Sequence, residues 1–386
     1  MSQKKFVRYA KKIFQSQPEF RVDFGTNRHF SPDIFHLFLD QIKGEISADR
    51  LRMQTVGKSV EGRPINLITL GRGSVPVLLW SQMHGDESTA TAAIADILRY
   101  FCLRSEGEEA GTLLSFFTLH FLPMVNPDGA ARTQRRNAQN IDINRDGLAL
   151  QTPEGKLLKE MQNTLKPLFG FNLHDQELST TGTSRELTAV ALLAPAFDEK
   201  KSDNNVRRKA KQLVAAFTES VKPFAKGNIA KYDDAFEPRA FGDSFQKWGT
   251  STILVESGHA MGDPQKESIR RINAAGILSA LYAIATGEYL QMPMDAYESL
   301  PFNSKKAYEI IIRNVEVHTK TGENLIMDLG LSSQVDTHSE PPIKLVDIGD
   351  LSTFTCLEEV DVKRMRVDQQ DLRIGEPVGR SIQELL

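Results

Sequence analysis

Residues 75–103, VPVLLWSQMHGDESTATAAIADILRYFCL, decide the fold prediction for this chain. The first nine residues, VPVLLWSQM, begin with a continuous apolar run at 75–80, which is typical of a strand buried on both faces. After Ser88, a residue type that caps helices, Ala, Ile and Leu recur at helical spacing. The stretch therefore predicts a buried strand, a junction at residues 84–87 and a helix.

Four more apolar runs follow, each suited to a buried strand: FFTLHFLPMV (116–125), FGFNLHD (169–175), LTAVALLAP (187–195) and STILVESG (251–258). Helical periodicity separates the runs, a pattern that predicts an α/β fold with a mixed, largely parallel central sheet flanked by helices. Ligands in such sheets bind beyond the carboxyl ends of the strands. Polar residues that follow these runs are therefore the candidates for a site.

With 386 residues, the chain exceeds the usual size of a single hydrophobic core. We predict an N-terminal lead-in at 1–45 with a helix capped by Ser31 and begun by Pro32. A catalytic α/β domain is expected at 46–295 and a small β-rich domain at 296–386. Prolines and polar residues around 291–308 are typical of a linker between the two.

Composition excludes several classes of function. Lys plus Arg total 47 and Asp plus Glu total 50, so the net charge of −3 gives no case for nucleic-acid or membrane binding. Cys102 and Cys356 are the only cysteines, too few for a disulfide framework. The N-terminus lacks the apolar core of a secretory signal, so we expect a cytoplasmic protein. The oligomeric state stays open.

His84 and Glu87 lie three residues apart at the predicted junction and could chelate one ion. Taken alone, this spacing favours an ordinary surface loop. A catalytic zinc takes three protein ligands plus an open position, and two histidines with one glutamate are a common set. His174, at the end of an apolar run, is the natural third ligand for one zinc per chain, with His259 as a less favoured candidate. His120 lies inside an apolar run and is better interpreted as a core histidine.

Six motifs occur in order: VGKSVEGRPINLITLG (56–71), MHGDES (83–88), NPDGA (126–130), RRNAQNIDINRD (135–146), FNLHDQ (171–176) and ILVESG (253–258). Together they resemble the zinc carboxypeptidases of the funnelin type, peptidase M14. The resemblance implies that His84, Glu87 and His174 bind zinc. It also implies that Glu256 acts as the general base, taking a proton from water and returning it to the leaving amine.

The resemblance assigns substrate contacts as well. Arg135 corresponds to the arginine that polarises the scissile carbonyl, although a shift of one residue would give this role to Arg136. Asn144 and Arg145 correspond to the pair that holds the terminal carboxylate of the substrate.

Two further residues match motif positions. Asp142 corresponds to the carboxylate that orients the first zinc histidine. Arg63 resembles another substrate-contacting arginine, with a surface ion pair as the alternative interpretation.

The chain also departs from the family pattern. Asp146 and Gly147 follow Arg145, where many relatives have Asn and an aromatic residue. No tyrosine falls in the register of the substrate-capping tyrosine, and Tyr232 is only nearby. Gly242 stands where the base of the specificity pocket is expected, which predicts an unfilled pocket that Arg239 could reach to select an acidic or zwitterionic side chain.

These observations predict a zinc-dependent metallocarboxypeptidase that hydrolyses an amide bond next to a free carboxylate in short peptides, with murein-derived peptides as one candidate class. The first alternative is an N-acyl amino acid deacylase resembling succinylglutamate desuccinylase or aspartoacylase. The second is a non-catalytic binding protein, which the retention of Glu256 disfavours.

Overall fold

The computed structural model describes residues 4–25, 27–45, 51–304, 306–333 and 342–386. Its helices are α1 (Lys5–Phe20), α2 (Pro32–Lys43), α3 (Thr89–Arg104), α4 (Glu108–Phe116), α5 (Pro127–Arg132), α6 (Pro153–Leu165), α7 (Asn205–Val221), α8 (Phe241–Lys247), α9 (Glu267–Ala285), α10 (Asp295–Glu298) and α11 (Arg380–Gln383). Its strands are β1 (Leu51–Lys58), β2 (Pro64–Leu70), β3 (Val75–Ser81), β4 (Phe117–Leu122), β5 (Phe169–Asp175), β6 (Thr180–Thr181), β7 (Val190–Leu193), β8 (Ile229–Lys231), β9 (Ser251–Ser257), β10 (Asn303–Ser304), β11 (Ala307–His318), β12 (Asn324–Ser333), β13 (Ile343–Gly349), β14 (Thr355–Asp361) and β15 (Arg366–Asp368). Short 3-10 helices cover Ile143–Arg145, Glu288–Gln291 and Gln369–Asp371.

The central sheet has eight strands in the order β1-β2-β4-β3-β5-β9-β7-β8. Its middle strands β4, β3, β5 and β9 are parallel, as are β7 and β8. The pairs β1/β2, β2/β4 and β7/β9 are antiparallel. The sheet is therefore mixed and largely parallel, which confirms the predicted fold class. The five predicted apolar runs form β3, β4, β5, β7 and β9.

Successive residues of β3 face two different cores. Val77 and Leu79 lie in the larger apolar cluster, to which α3, α7 and α9 contribute. Leu78 and Trp80 lie in a second cluster, with residues of α6 and α8. Because helices cover both faces of the sheet, the strand is apolar at every one of these positions instead of alternating.

The N-terminal helices pack onto this unit. Helix α2 begins at the predicted position, with the Ser31 hydroxyl accepting from the Ile34 N–H at 3.4 Å. Helix α1 is absent from the sequence prediction. Its residues Phe6, Ile13 and Phe20 recur every seven positions and lie buried in the same cluster as α9. That spacing is the helical signal, and the basic residues between them obscure it.

The prediction that the Ser88 side chain caps α3 is wrong. The helix does begin directly after Ser88, but Ser88 makes no side-chain cap bond. Its hydroxyl instead donates to the Arg28 carbonyl at 2.7 Å. The serine therefore attaches the start of α3 to the segment between α1 and α2.

A second sheet lies near the C-terminus, as predicted. Strands β11 and β12 are antiparallel, β13 pairs with β12, and β14 and β15 lie parallel to β11. This sheet has its own apolar cluster, with Ile312, Leu329 and Leu345 fully buried. Before it, Tyr297 of α10 is fully buried in the larger cluster of the α/β unit. Across the described residues, no helix combines the length and apolar character needed to span a membrane.

Candidate metal centre and active site

The junction between β3 and α3 packs tightly against the loop around α5. The Gly85 N–H donates to the Arg135 carbonyl at 3.3 Å. A Cβ at position 85 would lie 2.0 Å from the carbonyl carbon of Gly129, so only glycine fits there. Within the turn, the Glu87 N–H donates to the His84 carbonyl at 3.2 Å. This turn places His84 Nδ1 2.7 Å from Glu87 Oε1.

The third predicted ligand comes from the end of β5, the strand next to β3. His174 Nδ1 lies 2.7 Å from Glu87 Oε2, and the Asp175 N–H donates to the same oxygen at 3.2 Å. His84, Glu87 and His174 are buried, and their ligand atoms all lie within 4.8 Å of one another. The structure thus brings the three predicted metal ligands together at one edge of the sheet.

Asp142 and Arg135 surround this cluster. Asp142 Oδ1 lies 3.0 Å from His84 Nε2, the ring nitrogen that faces away from Glu87. Arg135 donates to Asp142 Oδ2 from Nε at 3.2 Å and from Nη2 at 3.1 Å, and from Nη1 to Glu87 Oε1 at 3.2 Å. Arg136 donates instead to a carbonyl of its own loop at 3.2 Å. Of the two adjacent arginines, Arg135 is therefore the one that lies at the cluster.

Burial and close charges shift the ionisation of these groups. Burial lowers the pKa of His84, but Glu87 and Asp142 outweigh it and raise that pKa to about 9. Burial disfavours the Glu87 carboxylate, yet the two imidazoles hold the pKa of Glu87 well below its usual range. The pKa of His174 is lowered, mainly by burial. Glu87 is therefore an ionised carboxylate between two ring nitrogens, which is the state a metal ligand needs.

Glu256 lies beside His174 on the neighbouring strand. The register of β5 and β9 pairs the two residues directly, so both side chains leave the same face of the sheet. Burial and the negative charge of Glu87 raise the pKa of Glu256 well above its ordinary value. The charge of Glu256, together with burial, also raises the pKa of Tyr232. Tyr232, which sequence analysis left without a role, thus lies within the electrostatic reach of this carboxylate.

Asn144 and Arg145 lie in the 3-10 helix next to the cluster. Asn144 Oδ1 accepts from the Phe241 N–H at 2.9 Å, which ties this turn to α8. The Arg145 side chain is 42% exposed, and its Nε lies 4.0 Å from Glu237 Oε2. Glu237 also accepts two hydrogen bonds from the Arg239 guanidinium, at 2.9 and 2.6 Å. Glu237 is a charge that sequence analysis missed, because only the fold brings it to Arg145.

The predicted open pocket at Gly242 is not supported by the structure. A Cβ at this position would lie 3.2 Å from Asn172 Nδ2 and 3.3 Å from Pro195 Cγ. Arg239, which we expected to reach the pocket, is paired with Glu237. Neighbouring side chains therefore occupy the space that the missing side chain leaves.

Three other candidate residues lie outside the group of metal ligands. Arg63 donates to Asp128 Oδ1 at 2.6 Å, which matches its ion-pair alternative. His120 is buried, with Nδ1 3.0 Å from a threonine hydroxyl of β2, as expected of a core histidine. His259 does not belong to the group of described residues that could hold an ion.

The donor set fits a zinc ion. Two imidazole nitrogens and a carboxylate are a common ligand set for catalytic zinc. The Asp142 contact with His84 Nε2 leaves Nδ1 facing Glu87, the orientation that a metal ligand requires. Glu87 and Glu256 are two buried carboxylates that repel each other, and a divalent cation would offset this repulsion.

Known proteins that are similar in sequence to this chain are carboxypeptidases. Residues 36–183 match the sequence model of the family described as zinc carboxypeptidase. Carboxypeptidase SOL1 of Arabidopsis thaliana is 27% identical over 140 residues, which cover 32% of this chain and 28% of SOL1. Probable carboxypeptidase 2 of Trichophyton verrucosum (strain HKI 0517) is 28% identical over 170 residues, covering 41% of this chain and 32% of the relative. The chain thus spans about a third or less of the length of these curated relatives.

Solved structures show the same architecture. The metallo-carboxypeptidase from Pseudomonas aeruginosa, in complex with (2-guanidinoethylmercapto)succinic acid, has a TM-score of 0.54 at 18% identity, over 67% of this chain and 70% of its own. The metallo-carboxypeptidase from Burkholderia cenocepacia has a TM-score of 0.53 at 19% identity, over 67% of this chain and 70% of its own. At such identities the likeness shows a shared fold.

Proposed function

We propose that the chain is a zinc-dependent metallocarboxypeptidase of the zinc carboxypeptidase family, whose sequence model residues 36–183 match. Its substrates would be short peptides cleaved at an amide bond next to a free carboxylate, with murein-derived peptides as one candidate class. The observation that carries the proposal is the convergence of His84, Glu87 and His174 within 4.8 Å, beside Glu256. Residence in the cytoplasm stays a prediction from the sequence.

His84 Nδ1, His174 Nδ1 and the Glu87 carboxylate would hold one zinc ion per chain. When bound, zinc polarises a carbonyl group and makes water more acidic. Asp142 would keep His84 in the tautomer that presents Nδ1 to the ion, because it lies at Nε2. The ligand roles rest on the donor geometry and on the family motifs.

Glu256 would move the proton in this reaction. Its position beside His174 puts a carboxylate next to the ligand set, and the neighbouring negative charge of Glu87 raises its proton affinity. A carboxylate with raised proton affinity can take a proton from water and return it to the leaving amine. Such transfer typically contributes about 10²-fold to 10⁴-fold to the rate.

Arginine side chains would hold the charges of the substrate. Arg135, at the cluster and about one third exposed, would face the oxygen on which negative charge develops. Arg145 and the Asn144 amide would bind the terminal carboxylate, for which a guanidinium fork is well suited. Arg145 is free enough for this role because its nearest carboxylate lies at 4.0 Å.

The test is a comparison of wild type with Glu256→Gln for bound metal and for turnover. The substrate panel contains peptides with a free C-terminus, the same peptides amidated, and N-acyl amino acids. We expect about one zinc per chain in both proteins, and release of the terminal residue only by wild type and only from free peptides. Glu154→Gln is the matched control, since Glu154 is another buried glutamate, and it should retain activity.

The other outcomes separate the alternatives. Turnover of N-acyl amino acids without peptide cleavage would identify a deacylase. Zinc binding without turnover of any substrate would favour the binding protein. Absence of zinc from folded wild-type protein would refute the ligand assignment.

A further inference from the structure

A buried lysine lies directly behind the candidate metal centre. Lys266 precedes α9, and its side chain is 3% exposed. Its Nζ lies 3.2 Å from Asp175 Oδ2 and donates to the Ser257 carbonyl at 3.5 Å. A lysine is rarely buried to this degree without a specific partner.

The partner carboxylate is itself held from several sides. Asp175 Oδ2 accepts from the Thr89 hydroxyl at 2.5 Å, and Arg28 Nη1 lies 3.7 Å away. The backbone N–H of Asp175 donates to Glu87 Oε2 at 3.2 Å. One aspartate therefore contacts both the lysine and a predicted metal ligand.

Three residues of this network lie one or two positions after a residue of the active site. Asp175 follows His174, Ser257 follows Glu256, and Thr89 lies two positions after Glu87. These segments come from the ends of β5 and β9 and the start of α3. The Lys266 ammonium is thus bonded, directly or through Asp175, to the three chain segments that carry the site.

We propose that Lys266 is a positioning residue of the metal centre, an inference that rests on the proposed zinc-dependent function. Backbone pairing already sets the distance between β5 and β9, and the bonds of Lys266 to Asp175 and Ser257 fix the position of the Asp175 side chain at the ends of these strands. The Asp175 bond to Thr89 fixes the start of α3 relative to both. Burying an ion pair has a large desolvation cost, so this pair contributes geometry more than stability.

The measurement is the zinc dissociation constant of folded protein, by competition with a chelator. Lys266→Met removes the ammonium at similar side-chain length, and we expect the zinc Kd to rise about 10-fold to 100-fold. At saturating zinc, kcat should fall with little change in KM, because the network does not touch Arg145. The matched control is Lys211→Met, since Lys211 is similarly buried and paired with Asp203 and Glu298 away from the site. It should leave the zinc Kd unchanged.

Two more variants test the network if Lys266→Met does not fold and test whether Lys266 and Asp175 act together. Thr89→Val conserves side-chain shape and replaces the hydroxyl with a methyl group, which removes the bond to Asp175. This variant is used if Lys266→Met does not fold, and it should also weaken zinc binding. The double variant Asp175→Asn/Lys266→Met should have about the same zinc Kd as whichever of its two single variants binds zinc more weakly. The effects of mutations at residues in contact do not add.

An unchanged zinc Kd in folded Lys266→Met, or in Thr89→Val where the lysine variant is unfolded, overturns the inference and leaves the proposed function intact. Equal losses in Lys266→Met and Lys211→Met overturn it too, as general destabilisation. Wild-type protein that binds no zinc would overturn both.

Discussion

If Arg145 holds the terminal carboxylate of the substrate, as proposed, then Glu237 competes for the same guanidinium, and replacing Glu237 should strengthen the binding of peptides with a free carboxylate. The Arg145 Nε lies 4.0 Å from Glu237 Oε2, at side-chain exposures of 42% and 31%. Hydrogen bonds from Arg239 lower the pKa of Glu237 to about 2, so the carboxylate is charged throughout the neutral range. Glu237→Gln keeps the shape of this side chain and removes its charge.

The magnitude follows from the distance and the exposure. Two unit charges 4 Å apart interact by about 1 kcal/mol in water and by about 4 kcal/mol at an effective dielectric constant of about 20. Because Arg145 is exposed and Glu237 partly exposed, water screens the pair and the lower value applies; exposed pairs typically contribute about 0.2–1 kcal/mol. The KM for a free peptide should therefore fall about 1.5-fold to 5-fold.

The assay measures KM at low and high ionic strength for a free peptide and for its amidated form. The decrease should shrink with added salt, which screens exposed charges. Glu384→Gln is the control, because it removes a surface carboxylate that pairs with Arg380 in the C-terminal segment. An unchanged or higher KM for the free peptide, or an equal decrease for the amidated one, would refute the reasoning.

Three further predictions concern the metal turn, a buried acid and the ion itself. Gly85→Ala should lose stoichiometric zinc and destabilise the fold by about 1–3 kcal/mol in urea titrations, because its Cβ would lie 2.0 Å from Gly129. Gly379→Ala, where a Cβ meets nothing within 4 Å, should change neither. Burial raises the pKa of Asp243 to about 7. The folded state therefore holds this proton more tightly, and its stabilising effect is lost as pH rises from about 4 to 7. Asp243→Asn should accordingly reduce the difference between melting temperatures measured at about pH 5 and about pH 8, and an unreduced difference would contradict this. Chelation should lower the melting temperature and zinc restore it, since free zinc at about 1,000 times Kd stabilises by about 4.1 kcal/mol. A melting temperature indifferent to zinc would count against the ligand set.

Local sequence patterns determined the fold class and the ligand candidates. Continuous apolar runs such as residues 75–80 reflect burial on both faces of a sheet, and each run can be recognised from its own strand alone. The placement of His84, His174 and Glu256 at the ends of such runs then predicts their meeting, because carboxyl ends of parallel strands lie at one edge. His84 and Glu87 are three residues apart, so a tight turn is enough to bring their side chains together.

Tertiary structure alone decided which partners the charged side chains take. Arg135 and Arg136 are neighbours with the same chemistry, and only the fold of their loop directs Arg135 to Glu87. The Ser88 hydroxyl bonds a distant carbonyl instead of capping its own helix. Lys266 meets Asp175 across 91 positions of the chain. A long polar side chain can bond to any group that the packing of distant segments places beside it. Such packing leaves no periodic pattern in the sequence, so these partners could not be predicted.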